Sequence, residues 1–229
     1  MTESTPHVYL QALALSIARD WRRCPPGQRS TDLGAFEAAE AATVGDGVRS
    51  VVYSSIGLEP GVDIVLWRWA ETVDALERSA ARTLRSGLGL SCDVRHSFLG
   101  RTTASQYVVK PSEQEAGLVS GERDRYLIVY PFTKSTDWYL LSREARQGVM
   151  NEHMKVGHTY PAVRQALAYS FGVDDQDFLV AYETNDLPAF GDLVRELRGT
   201  DSRRSTVRDT PILLAIRRSP DELRELLGA

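Results

Sequence analysis

The 229-residue sequence has little cysteine, no long apolar run and no excess of positive charge. Its two cysteines, Cys24 and Cys92, lack CxxC spacing and nearby histidines, which argues against a disulfide framework. The net charge of −4, with dispersed basic residues, argues against a nucleic-acid partner. No stretch approaches the roughly 18 apolar residues of a membrane helix. An acidic Glu3 stands where a signal peptide carries basic residues. We therefore expect a cytoplasmic protein without membrane insertion.

What the sequence does contain is typical of a folded protein. Hydrophobic residues make up 42% of the chain and charged residues 25%, so disordered and fibrous classes are disfavoured. The length is enough for one large domain or for two of about 110 residues each.

The two halves of the chain repeat one sequence plan. The copies begin at Tyr53, with YSSIGLEPGVDIVLWRWA, and at Tyr169, with YSFGVDDQDFLVAYET. In each copy an apolar run ends at a glycine, either Gly57 or Gly172, and an acidic turn follows. A second apolar run comes next, and then a segment with apolar residues every three or four positions. These patterns predict two strands and a helix in each copy.

The flanking segments complete the same order of elements in both halves. In the first half we predict strands over Val8–Ile17 and Val94–Leu99 and a helix over Leu33–Thr43. In the second half we predict strands over Tyr126–Phe132 and Ile212–Ile216 and a helix over Ser142–Gly157. The order β-α-β-β-α-β is that of a ferredoxin-like unit.

Two such units can bury the open faces of their sheets against each other. The predicted class is therefore α+β: tandem duplicated ferredoxin-like units forming a dimeric α/β barrel, with a central antiparallel sheet and outer helices. We expect an N-terminal unit over residues 1–109, a polar linker over 110–125 and a C-terminal unit over 126–229.

Of the four histidines, His153 has the sequence surroundings that best suit a metal ligand. It shares one face of the predicted helix with Met150 and Gly157, and the missing side chain at Gly157 would let a flat group approach. His153 and His158 are five residues apart, so they cannot bind one metal ion from an intact helix, and zinc is poorly supported. A single imidazole is enough for iron that already has four equatorial ligands, as in haem. From the residues alone, a structural histidine is the alternative.

Residues 126–184 contain the elements YPxxK, WYxLSxExR, xEHxxxGxxYxxV and GxDDxxF in that order. In this combination the chain resembles the chlorite dismutase superfamily of haem proteins, and within it the branch of the coproheme decarboxylases most. The resemblance is strong over residues 126–217, weaker over 50–110 and faint before residue 45. It implies an iron porphyrin, either haem b or coproheme, as cofactor or substrate. It also implies a homo-oligomer, most often a pentamer.

The resemblance also implies roles for individual residues. His153 matches the proximal iron ligand, with Gly157 beside it, and Asp201 matches the acidic residue that accepts the second N–H of that imidazole. Tyr130 matches a tyrosine that becomes a radical in coproheme decarboxylases. Lys134 matches a lysine that holds a propionate. The segment Ser105-Gln106-Tyr107 resembles an element near the propionates.

The distal position separates the possible activities. Chlorite dismutases carry an arginine there, which holds chlorite, whereas a group of decarboxylases carries a glutamine. We expect Gln165 at this position, but an alignment shifted by one residue near Pro161 would place Arg164 there. Only one of these two residues can face the porphyrin, because neighbouring residues of a strand face opposite sides of the sheet.

The function expected from the resemblance is peroxide-dependent oxidative decarboxylation of coproheme to haem b. Tyr130, Gln165 and Lys134 would be the catalytic residues. The alternatives are chlorite dismutation, which yields chloride and oxygen, and a general haem peroxidase. If the chain binds no haem, the fold also suits a cofactor-free monooxygenase or a binding module.

Overall fold

The computed structural model describes residues 7–103 and 122–229. In chain order the strands are β1 (Tyr9–Ile17), β2 (Arg49–Glu59), β3 (Val62–Ala70), β4 (Cys92–Arg101), β5 (Tyr126–Lys134), β6 (Arg164–Tyr169), β7 (Phe178–Thr184), β8 (Thr206–Arg208) and β9 (Leu213–Arg217). The α-helices of these residues are α1 (Pro26–Ala41), α2 (Val73–Leu84), α3 (Thr136–Leu140), α4 (Arg143–His158), α5 (Leu187–Leu197) and α6 (Pro220–Leu227).

The chain divides into two compact units. The first combines the described residues up to Thr102 with Leu214–Ala229, and the second combines those from Thr103 to Leu213. Most of the predicted linker 110–125, together with Ser105, Gln106 and Tyr107, lies outside the described residues.

The first unit is an antiparallel sheet in the order β4-β1-β3-β2-β9. Strands β2 and β3 form a hairpin whose turn contains Gly61 at a φ of +75°, a conformation that favours glycine. Alternate residues of β1 and β3 pack with helix residues to form the core of this unit. Phe36 and Leu33, three positions apart on α1, supply the helix side of that core and are fully buried.

The second unit is an antiparallel sheet in the order β6-β7-β5-β8, and α4 packs against α5. Its register pairs Tyr130 with Val180 and Gln165 with Tyr182. Tyr182 also pairs with Ile128, which lies two residues before Tyr130 on β5. Because paired residues of adjacent strands share a face, Gln165, Tyr182 and Tyr130 lie on one face of this sheet.

The predicted α+β class is confirmed, and the predicted strands and helices are present with ends displaced by a few residues, apart from the start of α1. Helix α1 starts at Pro26 rather than at Leu33 because Pro25 and Pro26 begin it. The predicted arrangement as a dimeric barrel stays a prediction.

The last predicted strand joins the sheet of the first unit. The strand expected at Ile212–Ile216 is β9, which pairs with β2 through Ser54 with Ile216 and Tyr53 with Arg217. Residues 214–229 group with the first unit, and the predicted domain boundaries of 1–109, 110–125 and 126–229 stay a prediction. The free edge of β2 provides the hydrogen-bonding groups that β9 needs.

Among the helices of the described residues, none combines the length and the apolarity that a membrane crossing requires.

Candidate functional site

Helix α4 carries His153, and its ends are determined by local chemistry. The hydroxyl of Ser142 caps the start by accepting the backbone N–H of Ala145 at 3.2 Å. Lys155 and His158 lie in the last turn, where a positive charge is favourable. None of the 16 residues of this helix is fully buried, so the helix leaves an uncovered face.

The imidazole of His153 contacts a hydroxyl group. Its Nδ1 lies 3.0 Å from the Oγ of Ser202, in the short 3-10 turn Asp201–Ser205 that follows α5. Burial, with a smaller contribution from the charge of Lys134, lowers the pKa of His153 to about 4. The ring is therefore neutral at pH 7 and keeps a lone pair that a metal ion can use.

The structure contradicts the prediction that Asp201 is the partner of His153. The carboxylate of Asp201 is 66% exposed and pairs with Arg204 at 3.2 Å. Ser202, the next residue, is 5% exposed and is the one that meets the imidazole. Successive residues of the tight turn point in different directions, which directs Asp201 to solvent and Ser202 inward.

Lys134, at the end of β5, lies close to the same turn. Its Nζ donates to the backbone carbonyl of Ser202 at 2.9 Å and lies 4.6 Å from the ring centroid of Trp138. Burial, followed by the charge of Arg203, lowers the pKa of Lys134 to about 8. Lys134 and His153 thus meet at one residue, Ser202.

Tyr130 lies on β5 four residues before Lys134, among aromatic side chains. Its ring stacks on that of Tyr182, with centroids 6.1 Å apart. Burial raises the pKa of Tyr130 well above its ordinary value, and the neighbouring Tyr182 phenol adds to the effect. Tyr130 therefore keeps its phenolic proton at neutral pH.

Gln165 and Arg164 have opposite surroundings. Arg164 Nε donates to Asp124 Oδ2 at 2.8 Å, and Arg164 Nη2 donates to Glu183 Oε2 at 2.9 Å. Both ion pairs lie on the face of the sheet opposite Tyr130, because Arg164 and Gln165 are neighbours on one strand. Gln165 lies on the same face as Tyr130.

The surroundings of His153 fit a broad, flat group that brings its own metal ligands. A Cβ added at Gly157 or at Gly148 would meet nothing within 4 Å, so the surface of α4 is open at both glycines. On the sheet face that holds Tyr130, Leu167 is 47% exposed. In the described part of the chain, no group of three histidine, cysteine or acidic side chains is placed to hold a metal ion. A lone imidazole suits an iron porphyrin, whose nitrogens fill the equatorial positions.

Three residues of this site were not predicted from the sequence: Ser202, Tyr182 and Thr200, whose Oγ1 lies 2.9 Å from the Oγ of Ser202. The two hydroxyl residues flank Asp201 in the run TDS, so their proximity to the predicted position was visible, but their direction was not. Tyr182 is brought beside Tyr130 by the pairing of β5 with β7, which no sequence pattern specifies.

Comparison with known proteins identifies the family. The family model described as chlorite dismutase matches residues 29–218. A coproheme decarboxylase of Mycolicibacterium smegmatis is 32% identical over 173 residues, which are 75% of this chain and 74% of that protein. A chlorite dismutase of Ideonella dechloratans is 26% identical over 90% of this chain and 74% of its own. The solved structure of the chlorite dismutase from Candidatus Nitrospira defluvii in complex with imidazole is 27% identical. It superimposes with a TM-score of 0.87 over 100% of this chain and 97% of its own. From its sequence and its fold together, this chain belongs to the chlorite dismutase family.

Proposed function

We propose that this protein is a haem-dependent oxidoreductase that catalyses the peroxide-dependent oxidative decarboxylation of coproheme to haem b. The observation that carries the proposal is the face shared by Tyr130 and Gln165, with Arg164 engaged by acids on the opposite face. The identity of 32% to a coproheme decarboxylase supports the same choice of reaction.

The residues near His153 have complementary binding tasks. His153 would hold the iron through the ring nitrogen that does not face Ser202, and Gly157 would leave room for the porphyrin plane. Lys134 would bind a propionate, since its ammonium already lies near this site. When bound, the iron porphyrin supplies the activation of hydrogen peroxide and is itself the substrate.

Tyr130 has the protonation state that a hydrogen-atom donor needs. Because its pKa is raised, the proton stays on Oη and the residue is a phenol rather than a phenolate at pH 7. The ring of Tyr182, which is itself buried, stacks on the ring of Tyr130. Lys134, four residues along the same strand, can orient the carboxylate beside it.

Gln165 favours decarboxylation over chlorite dismutation. Its neutral amide can donate and accept hydrogen bonds but supplies no positive charge for an anion such as chlorite. Arg164 has that charge, but its guanidinium is paired with the carboxylates of Asp124 and Glu183, and Glu183 is fully buried.

Chlorite dismutation, or a general peroxidase activity, is the second candidate. The comparison that favours it is the chlorite dismutase of Candidatus Nitrospira defluvii, on whose structure this chain superimposes with a TM-score of 0.87.

Three measurements distinguish these activities. The protein is titrated with coproheme and with haem b, then hydrogen peroxide is added and the porphyrin products are identified by mass spectrometry. Our proposal expects a Soret band with coproheme and the loss of carbon dioxide from two propionates. Oxygen release from chlorite by the haem-loaded protein would instead favour chlorite dismutation. Absence of a Soret band with either porphyrin would favour a cofactor-free monooxygenase or binding module.

Tyr130→Phe tests the role of the phenol. We expect this variant to bind coproheme but to lose decarboxylation. Tyr126→Phe is the matched control, because Tyr126 lies four residues before Tyr130 on the same strand, faces the same side of the sheet and has no proposed role. Unchanged carbon dioxide release by Tyr130→Phe would overturn the assignment.

The resemblance to the family also leads us to propose a homo-oligomer, with a pentamer favoured. Light scattering of the purified protein measures the subunit number, and a monomer would contradict the proposal.

A further inference from the structure

Two buried hydroxyl groups connect His153 to a backbone carbonyl. Nδ1 of His153 lies 3.0 Å from Oγ of Ser202, and that Oγ lies 2.9 Å from Oγ1 of Thr200. Oγ1 of Thr200 then donates to the carbonyl of Leu197 at 2.7 Å. Ser202 and Thr200 are 5% and 6% exposed, so water does not readily replace either bond.

The last hydrogen bond determines the direction of the other two. A carbonyl oxygen only accepts, so the single hydroxyl proton of Thr200 is used on Leu197. Ser202 must therefore donate its own proton to Thr200. With that proton used, the Oγ of Ser202 can only accept from His153, and Nδ1 must carry a hydrogen. In the neutral ring, Nε2 is then the nitrogen with the free lone pair.

We infer that Ser202 is a positioning residue that holds His153 in its Nδ1–H tautomer, directs Nε2 to the iron, and gives the imidazole a neutral hydrogen-bond acceptor instead of a carboxylate. This inference deepens the proposed function and rests on it for the part that concerns iron.

The charged groups around the turn do not replace the hydroxyl. Asp201 is exposed and paired with Arg204. The carboxylate of Glu152 accepts the backbone N–H of Asp201 at 3.1 Å. Lys134 donates to the carbonyl of Ser202 and is a cation, so it cannot accept a proton from the imidazole.

A neutral acceptor has a chemical consequence for the metal. A carboxylate draws the Nδ1 proton strongly and makes the ring a more basic ligand, which stabilises the ferric state. A serine hydroxyl draws it less. We therefore expect the iron held by His153 to have a higher Fe(III)/Fe(II) reduction potential than in a variant with a carboxylate at position 202.

The tautomer is tested first without any porphyrin. In the ¹⁵N NMR spectrum of the apoprotein near pH 7, His153 should show a protonated Nδ1 and an unprotonated Nε2. Ser202→Ala should lose this preference. Ser205→Ala is the matched control, because Ser205 ends the same turn and is not one of the residues that connect His153 to the carbonyl of Leu197. A protonated Nε2 in the parent protein, or an unchanged spectrum in Ser202→Ala, would overturn the inference.

The effect on iron is tested with haem b. Ser202→Ala should weaken haem binding by about tenfold or more, as other losses of such partners do. Ser202→Asp should shift the reduction potential downwards and raise the iron–histidine stretching frequency in the ferrous resonance Raman spectrum, while Ser205→Ala should match the parent. Normal haem binding with the same potential and the same stretch in both position-202 variants would refute Ser202 as a positioning residue. A parent protein without a Soret band would refute the proposed function and leave the tautomer result standing.

Discussion

Replacing Arg164 should reduce stability and leave the porphyrin chemistry intact. In Arg164→Ala, Glu183 loses a partner at 2.9 Å while its own side chain stays fully buried. Removing one member of a buried ion pair costs about 3–5 kcal/mol. Arg123 remains 3.6 Å from Glu183, and Arg164 is itself 20% exposed, so both facts reduce the loss. We therefore expect a fall of about 2–4 kcal/mol in the free energy of unfolding.

The assay compares Arg164→Ala with Gln165→Ala. Urea unfolding is followed by circular dichroism, and the porphyrin complex is followed by absorption spectroscopy and product analysis. Gln165→Ala should change the free energy of unfolding by less than about 1 kcal/mol, since Gln165 makes no buried ion pair. It should instead alter the spectrum and the turnover of the bound porphyrin. The two neighbouring residues thus have opposite expected effects because they lie on opposite faces.

Arg164→Lys refines the test of the ion pairs. Lysine keeps the charge but cannot engage Asp124 and Glu183 with the planar fork of a guanidinium, so an intermediate loss of stability is expected. The reasoning is refuted if Arg164→Ala retains the stability of the parent protein. It is also refuted if this variant, while still folded, loses the spectrum and the activity that Gln165→Ala retains.

Three further predictions concern Lys134, Glu40 and Tyr182. Binding of a porphyrin propionate should weaken as the pH rises through about 8, the pKa of Lys134 in the unliganded protein, because the ammonium loses its charge there. Porphyrin titrations at pH 7 and pH 9 measure this change. A Lys134→Met variant with the same pH dependence would contradict the prediction. Glu40→Ala should destabilise the protein by about 3–5 kcal/mol in urea unfolding, because it leaves the fully buried guanidinium of Arg68 without its carboxylate partner. Glu40→Gln should cost less and serves as the control. Tyr182→Phe should lower the pKa of Tyr130, since the Tyr182 phenol contributes to raising it; an unchanged ultraviolet titration of Tyr130 would be evidence against their contact.

Local patterns were sufficient to predict the element that carries His153. The serine before α4, the acidic residue in its first turn and the histidine face were all visible in the sequence, and the structure places the helix at Arg143–His158. Short-range signals of this kind depend on residues within a few positions of each other, and the surrounding fold changes them little.

The contacts that the predicted site residues make were harder to predict from the sequence. His153 and Ser202 are 49 positions apart, and their contact depends on how α4 meets the turn after α5. The sequence indicated the correct turn but the wrong residue in it, because side-chain direction in a tight turn changes from one residue to the next. The same limit applied to Arg164 and Gln165, whose assignment to a face required the register of β6 against β7.

By itself, the amino-acid sequence determined the α+β class, the repeated order of strands and helices, and a lone histidine on an open helix face. The tertiary structure alone decided that β9 pairs with β2, that Ser202 rather than Asp201 meets His153, and that Gln165 shares its face with Tyr130. The physical reason is the range of the interactions. Secondary structure follows from neighbours along the chain, whereas strand partners and side-chain contacts follow from packing between segments that are distant in sequence.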